Sequence, residues 1–220
     1  MEEISFERKV NILKKLLILI LMISLLPGLT IQAEDNQNEE ISQKQVQFQN
    51  DFRRLWIDHV LWTSNYITSA TTAGAEDQKE VLNRLLRNQV EIGDAIKPLY
   101  GDEAGTQLTN LLTEHIEIAG RLVNAAINNE DSSVEDLNKE WYRNAVDIAA
   151  FLSSANPNLS QDELDDLLET HLELVADDLE ASINKDWDAR IDSIDEGVTH
   201  IIMMADTISE AVIKQFPDQF

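Results

Sequence analysis

From about Phe48 to the C-terminus the apolar residues recur at intervals of three and four, and nowhere do they alternate with the period of two that a strand requires. This spacing predicts amphipathic helices whose apolar stripes face a common core. Leu108, Leu111, Leu112, Ile118, Ala119 and Leu122 share one such face, and Leu164, Leu167, Leu168, Leu174 and Val175 share another. Helix-breaking clusters interrupt the pattern at Thr72-Ala73-Gly74, Gly101-Asp102, Asn128-Asn129-Glu130-Asp131, Asn156-Pro157-Asn158 and Asn184-Lys185-Asp186. They lie about 25 to 30 residues apart and divide the chain into six helices. Asp77 with Glu80, Ser132 with Glu135 and Ser160 with Glu163 read as N-caps followed three residues on by glutamate, a pairing that satisfies the free amides of a helix start. Gly101, Pro157 and Pro217 read as stops.

These helices repeat. Leu111-Leu112-Thr113-Glu114-His115-Ile116 recurs as Leu167-Leu168-Glu169-Thr170-His171-Leu172 and stands the same distance earlier as Leu55-Trp56-Ile57-Asp58-His59-Val60. A second series, Arg87-Asn88-Gln89-Val90, Arg143-Asn144-Ala145-Val146 and Thr199-His200-Ile201-Ile202, keeps the same period. The predicted fold is all-α, a six-helix antiparallel bundle of three αα-hairpin repeats, each of about 56 residues. The repeats pack as one domain over residues 46–220. One hairpin cannot bury its own apolar face, so the three share a core, either closed into a ring or stacked as a short solenoid.

The repeat places polar residues inside the apolar stripe. His59, Asn88, His115, Asn144, His171 and His200 follow one another at nearly even intervals, every second one a full repeat apart. Each falls about twelve residues from either end of its helix, so alternating helices bring all six to one height. Burying such groups without partners costs a few kcal/mol each. His59, His115 and His171, with His200 as a fourth, therefore form a candidate metal site; imidazole suits Zn or Cu. Asn88 and Asn144 complete the layer, and Glu196, Met203 and Met204 stand within one turn of His200 as accessory candidates, the methionines leaning toward copper. The competing expectation is a layer that only sets helix register, as a buried Asn does in coiled coils. Trp56, Trp62, Trp141, Tyr66 and Tyr142 lie in the helices that carry the layer. They read as core, with an aromatic pocket for haem as the weaker alternative.

Charge changes the picture in one respect. The chain carries 17 basic and 41 acidic residues, a net charge of −24, and no cysteine. Long-range repulsion disfavours nucleic acid and anionic membrane surfaces as partners, and thiolate metal sites and disulfides are ruled out. At the N-terminus Arg8, Lys9, Lys14 and Lys15 precede an apolar run over residues 16–26, then Pro27-Gly28 and Ala33. This predicts a signal peptide over residues 1–33, cleaved after Ala33, because the run is shorter than the roughly 20 residues of a spanning helix. Residues 34–45 are polar and predict a flexible tether.

Catalytic signals are weak. No Glu-x-x-His pair occurs on any helix, no Gly-rich phosphate loop is present, and there is no serine elbow. The motifs Leu55-Trp56-Ile57-Asp58-His59-Val60-Leu61-Trp62-Thr63, Ile96-Lys97-Pro98-Leu99-Tyr100-Gly101, Glu114-His115-Ile116 and Ile213-Lys214-Gln215-Phe216-Pro217 resemble a family of small exported proteins from Bacillus-like and related Gram-positive bacteria. The resemblance spans most of residues 50–220. It implies export and a helical fold, and it brings no site residues. A glycosyltransferase or kinase assignment has no motif behind it in this chain. The expected function is an exported, non-catalytic bundle binding a metal ion or small ligand at a buried histidine layer, extracellular or associated with the cell surface. The alternative is a structural or protein-interaction role.

Overall fold

In the computed structural model, residues 42–220 are described. They form five α-helices: α1 (Gln43–Thr71), α2 (Gln78–Ile127), α3 (Asp131–Ala155), α4 (Gln161–Asn184) and α5 (Trp187–Gln215), followed by a 3-10 turn, Pro217–Gln219. The expected signal peptide lies outside the described residues. The tether ends earlier than expected. Ser42 Oγ accepts from Gln45 N at 3.1 Å and Gln45 Oε1 accepts from Ser42 N at 2.7 Å, a capping box that starts α1 at Gln43.

The count is five against the expected six because residues 78–127 form one continuous span in which two helices meet across a kink at Gly101. α2 runs 50 residues through Gly101, whose φ of 86° and ψ of 166° are not helical. Pro98, three residues before, cannot donate the amide hydrogen that would stiffen the last turn. The two arms, residues 78–100 and 102–127, fold back on each other. They touch where neither residue has a side chain: a Cβ on Gly93 would stand 2.5 Å from Gly105 O, and one on Gly105 2.6 Å from Gly93 O.

Other boundaries follow local chemistry. Ser160 caps α4, and α5 stops at Gln215 ahead of Pro217. Lys185, at φ 60° and ψ 31°, ends α4 in the left-handed conformation. Asp77 stands at the start of α2 but gives its carboxylate to Ser69 instead of to the helix amides. Ser132 lies inside α3, which already begins at Asp131.

Sequential helices pack side by side, and α5 returns to α1, closing the bundle. α1 also touches α4 across the interior. Phe52, Leu85, Ile92, Leu108, Ile118, Ile148, Leu164, Leu172 and Ile201 fill the core. One end is tied by Ser42 Oγ donating to Phe220 O at 2.7 Å and by the Phe48 and Phe220 rings, 5.0 Å apart. Halfway between the ends the core turns polar.

Candidate binding site at the histidine layer

Each helix pair contributes one bond of the same kind. Asn88 Nδ2 donates to Leu55 O at 3.0 Å, Asn144 Nδ2 to Leu111 O at 3.2 Å, and His200 Nε2 lies 2.8 Å from Leu167 O. Every one spans 33 residues. Because a carbonyl only accepts, these bonds fix both asparagine amides and make His200 Nε2 the protonated nitrogen. His200 thus replaces the asparagine amide as donor.

His59, His115 and His171 come from α1, the second arm of α2 and α4, and all three are nearly inaccessible, at 2–3% exposure. Their rings meet in the interior, with centres 5.4 Å apart for His59 and His171 and 6.5 Å for His115 and His171. Trp56 packs edge-on against His59 at 5.8 Å, and Trp141 lies against His115 at 5.2 Å. The tautomer of His115 follows from its partner. With Asn144 Nδ2 turned to Leu111 O, Asn144 Oδ1 faces His115 Nδ1 at 2.7 Å. His115 Nδ1 therefore carries the hydrogen, and Nε2 presents a lone pair.

Burial holds these rings neutral. Desolvation, with the neighbouring His115, pushes His59 down to about 3. Desolvation pushes His115 down to about 4 against the opposing bond to Asn144. His171 is driven well below the usual histidine range by desolvation and then by the charges that His59, His115 and His200 would carry. The proton is lost and the lone pairs remain.

Several polar atoms at this height have no partner. Gln89 is fully buried; its amide nitrogen donates to Leu85 O at 2.8 Å and Asn88 Oδ1 at 3.2 Å and lies 3.3 Å from His59 Nδ1. Its Oε1 is buried without a hydrogen bond, as are His171 Nδ1, Trp56 Nε1 and Trp141 Nε1. Leaving such groups unsatisfied costs about 1–3 kcal/mol apiece. A cavity of about 20 Å³ reaches His171 between α1, α4 and α5, lined also by Thr63, Ser64, Asp178, Ser193 and Gly197. That is room for one water-sized particle. Asp178 is itself buried and paired with Arg190 Nε at 3.3 Å; desolvation raises its carboxyl, against bonds to Ser64, Arg190 and Ser182.

The accessory candidates separate. Met204 is buried, whereas Met203 and Glu196 are exposed and lie off the site. His200 stands at the edge of the inward stripe formed by Gly197, Ile201, Met204 and Ile208. At roughly 100° per residue its one-turn neighbours therefore fall on opposite sides of it. The aromatic cluster divides as well. Trp56 and Trp141 cover the histidines, Trp62 lies half-buried with Arg84 stacked over it at 5.3 Å, and Tyr66 reaches away to Gln78. The sequence does not single out Gln89, because Ala145 and Ile201 occupy its place in the other two units. Among the described residues there is no group of three or more His, Asp or Glu that could hold a metal ion as the side chains stand. None of the described helices is long and apolar enough to cross a membrane. The fold and site define an all-α bundle with a buried imidazole layer. No family model, curated protein or solved structure matches the chain.

Proposed function

We propose that the chain is an exported, non-catalytic binding module that holds a metal ion or a comparably small ligand in its histidine layer. The observation that carries this reading is the meeting of three neutral imidazoles at ring-centre separations of 5.4 and 6.5 Å. With metal–nitrogen bonds of about 2.0 Å and nitrogens about 1.1 Å from each ring centre, tetrahedral ligation would place ring centres about 5.2 Å apart. Of the three ring pairs, His59–His171 stands near that separation and His115–His171 would have to close by about 1 Å, which ring rotation about χ angles supplies. The unpartnered Gln89 Oε1 and His171 Nδ1 add polar atoms that a guest would satisfy. Room for one water-sized particle beside His171 favours an ion over a haem. Export rests on the basic and apolar pattern of the N-terminus.

Three bonds of equal span, at Asn88, Asn144 and His200, support descent from one hairpin repeated three times. They also favour a second reading, in which the layer serves only to lock neighbouring helices in register. Element analysis of the purified protein and melting with added Zn and Cu separate the two. The binding reading expects one ion per chain and a rise in Tm that His115→Ala abolishes. A metal-free protein whose Tm ignores both ions would leave the register reading standing.

A further inference from the structure

We infer that Gly197 opens a hydration site beside the layer, in which a single water molecule accepts from the imidazole of His171 and donates to a wall formed by Thr63, Asp178 and Ser193. This goes beyond ion uptake and does not depend on it. At the two positions of the repeat pattern that match Gly197 the chain carries Leu85 and Trp141. Both are buried, and Trp141 lies against His115 at 5.2 Å. Gly197 puts no side chain in the corresponding place, and it lines the cavity of about 20 Å³ at His171. Crowding does not demand the glycine. It lies inside α5, and a Cβ there would meet nothing nearer than Val60 Cγ1 at 3.6 Å, an ordinary contact. Glycine inside a helix is disfavoured against alanine, so what it contributes is the space.

The chemistry of the walls selects the occupant. Apolar cavities stay dry, whereas a polar one needs only about 10–15 Å³ to hold a water. His171, Thr63, Ser64, Asp178 and Ser193 line this one, and each is more than nine-tenths buried. The hydroxyl hydrogens are already spent. Thr63 Oγ1 donates to His59 O at 2.8 Å, Ser193 Oγ donates to Arg190 O at 2.9 Å, and Ser64, which accepts from Arg190 at 2.9 Å, bonds the Asp178 carboxylate. What the wall still offers is lone pairs on hydroxyl and carboxylate oxygens, so its occupant has to be a hydrogen-bond donor. A water gives both hydrogens to that wall and keeps its oxygen for the ring N–H of His171, a residue whose Nδ1 has no protein partner. The site joins the layer to the Asp178–Arg190 pair, and Arg190 in turn reaches Ser64 and Thr68 on α1. Immobilising the water offsets much of what its bonds gain, so the site links α1, α4 and α5 while adding little to stability.

The test is water-selective NMR of the full, ion-free chain at neutral pH, read at the methyls of Val60 and the ring hydrogens of His171, two residues that line the cavity. The expected result is magnetisation transfer from water to both, with the sign given by a water that tumbles with the protein. Gly197→Ala, checked for helix content, should abolish that transfer and shift the ring nitrogens of His171, because its methyl takes the space of the water. No transfer to Val60 and His171 in the parent chain would overturn the hydration site, whether or not the variant folds. Transfer that is unchanged in a folded Gly197→Ala variant would overturn the placing of the water in the space that Gly197 opens. A variant that melts higher with the His171 nitrogens unmoved would show a dry packing gap and overturn the site as well.

Discussion

Two polar clusters of the bundle, a half-buried one at the tied end and a buried one at mid-height, are finished to different degrees. At the tied end, Tyr100 donates to Gln215 Oε1 at 2.6 Å and accepts from Asn156 Nδ2 at 2.9 Å, while Gln215 Nε2 donates to Ala155 O at 3.1 Å. Asn156 Oδ1 in turn accepts from Asn158 N at 2.9 Å. Each of these groups finds a protein partner, as a cluster that only ties helix ends should. At mid-height, by contrast, Gln89 Oε1, His171 Nδ1 and the indole nitrogens of Trp56 and Trp141 find none. A layer that served register alone would need only the three bonds at Asn88, Asn144 and His200. The surplus polarity is the feature on which the proposed binding reading rests and which the register reading does not use.

The largest expected consequence of that difference is acid sensitivity. His59, His115 and His171 fold with pKa values below the ordinary 6.5, so the unfolded chain takes up protons that the folded chain refuses. Stability is therefore full above about 6.5 and falls as the pH drops from there toward the folded values of about 4 for His115 and about 3 for His59. At about 1.4 kcal/mol per pH unit per group, His59 and His115 together withdraw on the order of 4 kcal/mol by pH 5, and His171, displaced in the same direction, adds to the loss. Relief of repulsion in a chain of net charge −24 offsets part of this. Denaturant melts at pH 7 and pH 5 should show the loss. A chain equally stable at both would mean that the rings are not held neutral.

Single substitutions sharpen the comparison. Asn144→Leu strands His115 Nδ1–H and removes the bond to Leu111 O, with an expected cost of about 2–4 kcal/mol in urea unfolding. Tyr100→Phe removes both bonds of the end cluster's hydroxyl and should cost about 1–2 kcal/mol. His171→Leu deletes a ring whose Nδ1 is unpartnered, so the same measurement should change by less than about 1 kcal/mol, while the ion uptake proposed above should be abolished. If that variant proved as costly as Asn144→Leu, His171 would be tied like the end cluster and the contrast would fail.

Much of this is legible in the sequence, and the reasons for what is not are physical. The near-even spacing of the six layer residues places them at one height because the rise per residue is constant in a helix. Gly101 marks an interruption in any reading. How closely the two helices that meet there pack depends on the approach of Gly93 and Gly105, twelve residues apart, which periodicity does not encode. Ser42 falls in a stretch that reads as tether because polar composition hides a capping box whose partner is another polar residue, Gln45. Within the layer the histidines are readable from their period. Gln89 is not, because it occurs once, and neither is the outward turn of Glu196 and Met203, which depends on His200 sitting at the edge of its stripe.

The central claim, that the three inner imidazoles take up an ion while the fourth histidine fastens helices, is most directly tested by histidine side-chain nitrogen NMR. Spectra of the full chain would be compared at neutral pH before and after one equivalent of Zn or, separately, of Cu. The account predicts that His115 starts with its hydrogen on Nδ1, that the nitrogens of His59, His115 and His171 shift together on addition, and that His200 Nε2–H stays in place. Three inner rings that do not respond, or a response confined to His200, would contradict it.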